Sequence, residues 1–159
     1  MKVIYCGYRG TYGAYLMAAL HTGLYKGDRL PNSQLIKGHF EMCRLYGEQY
    51  GNLIYVGVDE ELREIYALGC KKFFSVIQKA QTNVNRIFGL DEELYHIDAG
   101  RVEGFLPRVI GFLLAHGVNA RFCEKLFYYW FGHKYRCLAK AVDEEKQRLK
   151  EARQKNKER

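Results

Sequence analysis

The sequence predicts an α/β layered domain with a mixed sheet of about four strands. Three observations carry this. A compact apolar run, Val3 to Cys6, leads through Gly7, Gly10 and Gly13 into AYLMAAL, so a short strand gives way to a helix across a glycine-rich loop. Two further β-rich runs, NLIYVGV and EIYAL, follow close together. Helical patterns separate the remaining runs and close the chain with a long C-terminal helix, an alternation that suits helices layered on a partly parallel sheet.

Each element has a local reason. Gly23 and Gly27 end the first helix, and a turn over Asp28 to Ser33 brings Asn32 or Ser33 into position to cap a second helix running to Tyr46. Asn52 to Val58 and Glu64 to Leu68, joined by the charged link Asp59 to Arg63, predict a hairpin. From Cys70 to Phe88, Phe73, Phe74, Ile77, Ala80, Val84 and Ile87 recur at helical spacing, and Gly89 stops a helix that covers one sheet face. Glu93 to Ile97 is a strand and Asp98 to Gly100 a loop. Val102 to His116 is a helix with Pro107 in its first turns. Asn119 caps the last helix, whose apolar first part gives way after Val142 to DEEKQRLKEARQKNKER. The expected division is a single domain over residues 1–142 and a charged, fraying helical extension over 143–159.

Composition limits the function classes. The chain has 159 residues, a formal charge of +7 and a pI near 9.1, which favours acidic partners such as nucleic acid, phosphorylated metabolites or anionic surfaces. The five cysteines, Cys6, Cys43, Cys70, Cys123 and Cys137, lack CxxC spacing and read as reduced thiols. No charged and apolar leader precedes the first strand, so a cytoplasmic location is expected. Phe105 to Val118 is too short for a membrane span, which needs roughly 20 residues, and Arg108 interrupts it, so no membrane partner is expected.

The glycine loop fails three catalytic templates. No lysine follows Gly13, as a Walker loop requires. The spacing Gly7-x-x-Gly10-x-x-Gly13 is not that of a dinucleotide fingerprint. Tyr12 stands where a cysteine phosphatase using Cys6 would need arginine. What remains is a backbone nest at Gly10, Thr11, Tyr12 and Gly13, with the Thr11 hydroxyl and the Arg9 guanidinium available to an anion. Ligands of open α/β sheets sit beyond the carboxyl ends of the parallel strands, so Asp59, Asp98 and Arg101 join the expected cleft. The expected function is binding of a small phosphate-bearing or otherwise anionic ligand, with no cofactor named and no catalysis established. The alternative is a basic interaction module whose C-terminal helix, through Arg121, Lys125, Tyr128, Tyr129, Trp130, His133, Lys134, Tyr135 and Arg136, meets nucleic acid or a protein. His133 and Cys137 have a metal-ligand spacing but no third ligand nearby, so no metal is expected; His21 reads as structural.

With these residues in view, the chain resembles a bacterial family of domains of unknown function, number 3189. Its members open with a strand, a Cys-Tyr-Gly-Gly-like loop carrying a His-Ser-Ser-like triplet, and an Ala-rich helix ending His-x-Gly. Gly10, Ala18, Ala19, His21 and Gly23 fit that pattern, as do GVDEELREIYALG and RIFGL further on, so the resemblance runs through most of Val3 to Leu90. Tyr12, Gly13 and Ala14 stand where the polar triplet is expected. The resemblance therefore implies a diverged member that binds without turning over.

Overall fold

Four consecutive residues of the first strand, Val3 to Cys6, are buried, as a strand covered on both faces requires. In the computed structural model, which describes residues 1–157, this strand β1 (Lys2–Gly7) lies inside a four-stranded sheet. It pairs in parallel with β3 (Glu64–Gly69) on one side and β4 (Leu94–Asp98) on the other. β2 (Leu53–Val58) adds to β3 in the antiparallel sense as the expected hairpin, giving the order β2-β3-β1-β4. The mixed α/β sheet is thus observed.

Side-chain alternation divides the core. Val3, Tyr5, Ile65, Ala67 and Ile97 face helices α1 (Tyr15–His21), α2 (Ser33–Tyr46) and the C-terminal helix α6 (Ala120–Lys157). Along α6, Cys123, Phe127, Trp130, Phe131, Tyr135, Leu138 and Val142 form the buried stripe. The opposite face carries the smaller cluster Ile4, Cys6, Leu68 and Cys70, covered by Phe74 and Ile77 of α3 (Phe74–Ile87). None of the α3 residues is fully buried, so this helix covers its face thinly.

Caps and breaks fall where the backbone demands them. The Asn32 side chain accepts a hydrogen bond from the Leu35 N–H at 2.9 Å, capping α2. The single helix expected from Val102 to His116 divides into α4 (Gly100–Glu103) and α5 (Leu106–Ala115). Gly104 turns left-handed at φ +78° between them, a conformation that favours glycine, and Pro107 opens the second piece. That break aims Glu103 inward. α6 continues past Val142 without interruption: Leu149 is buried, the Tyr95 hydroxyl donates to Glu145 at 3.1 Å, and Arg153 donates to Glu61 at 2.5 Å. One leucine and two polar contacts join the charged segment to β4 and to the turn between β2 and β3. Residues 158 and 159 of that segment lie outside the described residues. Among the described residues, no helix is long and apolar enough to cross a membrane.

Candidate functional site

After β1 the chain makes one wide π-type turn over Gly10–Ala14 before α1 begins. Glycine is needed at its start because the loop crosses the end of β3: a Cβ on Gly10 would lie 2.7 Å from the Gly69 nitrogen. Tyr12 drops into the core, its ring 6.0 Å from Phe127 and 6.1 Å from Trp130. The Thr11 carbonyl accepts from His39 Nε2 at 2.6 Å and from the Cys43 thiol at 3.1 Å. Since that carbonyl can only accept, His39 carries its proton on Nε2, and Nδ1 accepts from the Tyr25 hydroxyl at 3.4 Å. Burial lowers the His39 pKa to about 4, so the ring is neutral at pH 7. Arg9 also turns inward, donating to the Gly47 carbonyl at 2.9 Å and pairing with Glu48. α2 therefore anchors the loop from behind.

The loop's backbone donors converge on an acidic side chain supplied by the chain itself. Glu103 Oε2 accepts from the Gly13 N–H at 2.9 Å and Oε1 from the Tyr8 N–H at 3.2 Å. The residue is completely buried, and its carbonyl accepts from Trp130 Nε1 at 2.9 Å. A side chain on Gly13 would collide with this carboxylate. Burial raises the Glu103 pKa to about 7, against the opposing pull of the two N–H donors and Arg108; Asp98 adds to the rise. The nest that the sequence offered to an external anion holds Glu103.

These groups set a pH dependence of stability. His21 and His39, with folded pKa values of about 4 against 6.5 for an ordinary histidine, stay neutral while the unfolded chain takes up protons, so stability falls as pH drops from 6.5 toward 4. Glu103, at about 7 against an ordinary 4.5, holds its proton in the folded chain and acts oppositely, removing stability as pH rises from 4.5 to 7. Between pH 4.5 and 6.5 two protons oppose one. Acidification across that window is expected to cost about 2–3 kcal/mol, and Glu103→Gln to steepen the slope toward two protons, both read by urea unfolding at stepped pH.

Outside the loop, the carboxyl ends of β1 and β3 carry a basic rim. Arg108 lies over the Tyr8 ring at 4.6 Å, Tyr8 meets Tyr50 edge-on at 6.3 Å, and Lys71 lies over Tyr50 at 4.4 Å, with Arg9 behind it at 5.7 Å. Lys71, Lys72 and Arg108 are exposed, and none of the three forms an ion pair with another described residue. Lys71 has φ +50°, held there as its N–H donates to the Tyr8 carbonyl at 3.0 Å and the Cys70 N–H donates to Gly7 at 2.9 Å. The 14-residue helix α3 starts just beyond, with its positive end toward this edge.

The expected site residues divide accordingly. Arg9, Gly10, Thr11, Tyr12 and Gly13 lie together but buried, and Arg9 Nε, Thr11 Oγ1 and Tyr12 Oη have no hydrogen-bond partner among the described residues. Asp98 lies opposite Cys6 in the sheet register, at the same edge, accepting at 3.1 Å from both the Gly100 N–H and Arg101 Nε; the Arg101 side chain is 81% exposed. Asp59 is not there. β2 runs antiparallel, which carries its carboxyl end to the far edge of the sheet beside Glu64. At that edge Asp59 Oδ2 accepts from Arg63 Nε at 2.6 Å and from His21 Nε2 at 3.2 Å, and the Tyr5 hydroxyl donates to His21 Nδ1 at 2.7 Å. Burial pushes the Asp59 carboxyl up, yet the Arg63 and Glu61 N–H groups and the Arg63 guanidinium outweigh it and hold it below the usual range. On α6, Trp130 and Tyr135 lie in the core, whereas Tyr129 and His133 stack outside with ring centroids 5.8 Å apart. Among the described residues, no group of three His, Cys, Asp or Glu side chains is placed to hold a metal. Glu103, Tyr8, Tyr50 and Lys71 carry no motif in the sequence, where Cys70 stands only as a thiol without CxxC spacing and Arg108 only as an interruption of an apolar stretch. A lone acid beside Gly104 in an apolar stretch was the one local signal for Glu103.

Fold and site together define a small α/β protein with a parallel three-stranded centre, a self-capped first βα turn and a basic rim at the carboxyl edge. The chain belongs to the family described as Protein of unknown function (DUF3189), whose model matches residues 2–147. No curated protein and no solved structure matches it.

Proposed function

We propose that this protein binds a small phosphate-bearing or otherwise anionic ligand at the carboxyl edge of β1 and β3, without established catalysis. The observation that carries the reading is the chain of contacts Arg108, Tyr8, Tyr50 and Lys71, which gathers cations with no ion-pair partner among the described residues against two tyrosine rings where ligands of open α/β sheets sit. Lys71, Lys72 and Arg108 supply charge, the α3 N-terminus adds its dipole, and Arg101 flanks the site beside Asp98. The loop residues Arg9, Gly10, Thr11, Tyr12 and Gly13 fix the position of Tyr8, and the unpartnered polar atoms of Arg9, Thr11 and Tyr12 leave hydrogen-bonding capacity behind it. Glu103 occupies the inner donors, which leaves the outer cations to select the ligand.

Calorimetric titration with inorganic phosphate and nucleoside phosphates tests this. Saturable binding in the micromolar to low millimolar range is expected, with at least about a tenfold loss in a Lys71→Ala/Arg108→Ala double variant, since each cation lost removes about 1 kcal/mol or more. Undiminished affinity in the double variant would remove the rim from the site.

A further inference from the structure

A second chemistry sits at the same edge on the other face of the sheet. Parallel register places Cys6 opposite Leu68, so Cys70, two residues beyond Leu68, projects on the same side as Cys6. The two thiols share one apolar cluster with Ile4 and Leu68; the Cys70 thiol donates to the Gly7 carbonyl at 3.5 Å and the Cys6 thiol to the Ile4 carbonyl at 3.9 Å. Cys6 is completely buried, whereas Cys70 keeps 7% exposure and stands between Gly69 and the exposed Lys71 and Lys72. The more exposed thiol thus has a fully buried one as its neighbour on the same sheet face. The other three thiols lie elsewhere: Cys43 and Cys123 in the large core and Cys137 exposed on α6.

We propose that Cys6 and Cys70 form a dithiol–disulfide couple that exchanges with low-molecular-weight disulfides bearing carboxylates, Cys70 attacking and Cys6 resolving. The Cys70 thiolate attacks one sulfur of R–S–S–R, forming a Cys70–S–S–R mixed disulfide and releasing R–S⁻, which takes up the proton lost by Cys70. Cys6, deprotonated in turn, attacks the Cys70 sulfur, closing the Cys6–Cys70 bond and expelling the second R–S⁻. Two protein thiols lose two electrons and two protons, and the small disulfide gains them as two thiols. The Cys6 thiol beside it lowers the Cys70 pKa below the ordinary thiol value, and Cys70 together with burial raises that of Cys6, which fits the order of attack; Asp98 opposes ionisation of both thiols, and Glu103 that of Cys70. Lys71 and Lys72 beside the reachable sulfur favour an anionic reactant. The exchange itself does not depend on the phosphate reading, because a neutral disulfide can also drive it.

The test uses the full chain carrying Cys137→Ser, which leaves the core untouched, incubated with oxidised glutathione or with the neutral hydroxyethyl disulfide and followed by intact mass and peptide mapping. The expected product has lost two hydrogen atoms and yields one linked peptide joining Cys6 to Cys70, reversed by a dithiol reductant. Glutathione disulfide is expected to react about tenfold faster than the neutral reagent at low salt, the advantage shrinking as salt rises. Adding Cys6→Ser should trap the glutathione adduct on Cys70. Failure of the Cys137→Ser chain to form the linked peptide with either reagent, where the denatured chain is fully modified, would overturn the couple. Equal rates with the two reagents would overturn the anionic preference.

Discussion

Gly10→Ala is expected to destabilise the fold by more than about 3 kcal/mol, because the obstacle to a new methyl group is backbone. The added Cβ would sit 2.7 Å from the Gly69 nitrogen and 3.0 Å from the Leu68 carbonyl carbon, atoms held in the β1–β3 ladder. Neither can rotate away, so β3 must separate from the loop that leaves β1. Separation would also disturb the Tyr8 and Gly13 donors that hold Glu103. Gly38 in α2 supplies the contrast: nothing lies within 4 Å of its missing Cβ, and it is exposed in mid-helix. Gly38→Ala is expected to stabilise by up to about 1 kcal/mol. Urea denaturation of the two variants should shift the midpoint in opposite directions.

Asp59→Ala is expected to cost about 3–5 kcal/mol, the usual result of removing one partner from a buried ion pair. Its carboxylate accepts from Arg63 Nε and the N–H groups of Glu61 and Arg63 within the turn between β2 and β3, and from His21 Nε2 at the end of α1. Without it the Arg63 side chain, only 9% exposed, keeps a charge whose remaining carboxylate partner is Glu61 at 3.7 Å. His21 loses the acceptor for its Nε2 proton, and Tyr5 is then bonded to an unanchored ring. Asp59→Asn retains an oxygen for the turn but not the charge, so roughly half the loss is expected. A loss below about 1 kcal/mol in Asp59→Ala would show that the network does not fasten the hairpin to α1.

The contrast between Gly10 and Asp59 shows how far sequence reading reaches. The strand, glycine loop and helix at the start were legible because periodicity and glycine placement are local properties. The Asp59 to Arg63 hairpin was legible too. Its consequence for the site lies in the topology: an antiparallel β2 must deliver Asp59 to the edge away from the glycine loop. Glu103 was hidden because its partners, Tyr8 and Gly13, lie some ninety residues earlier, and backbone N–H groups leave no mark in a sequence. Cys6 and Cys70 met the same obstacle, since only strand register brings them together. Arg9 and Tyr12 turn inward, Arg9 toward Gly47 and Glu48 just past α2 and Tyr12 toward Phe127 and Trp130 on α6, a direction that spacing along the chain does not carry.

Phosphate titration followed residue by residue through backbone amide shifts tests the central claim most directly, because it locates the anion as well as detecting it. Saturable shifts are predicted at Tyr8, Lys71, Lys72 and the first turn of α3, with Gly13 little moved because Glu103 keeps its N–H. No saturable shift at millimolar phosphate, or shifts confined to residues away from this edge, would contradict the account.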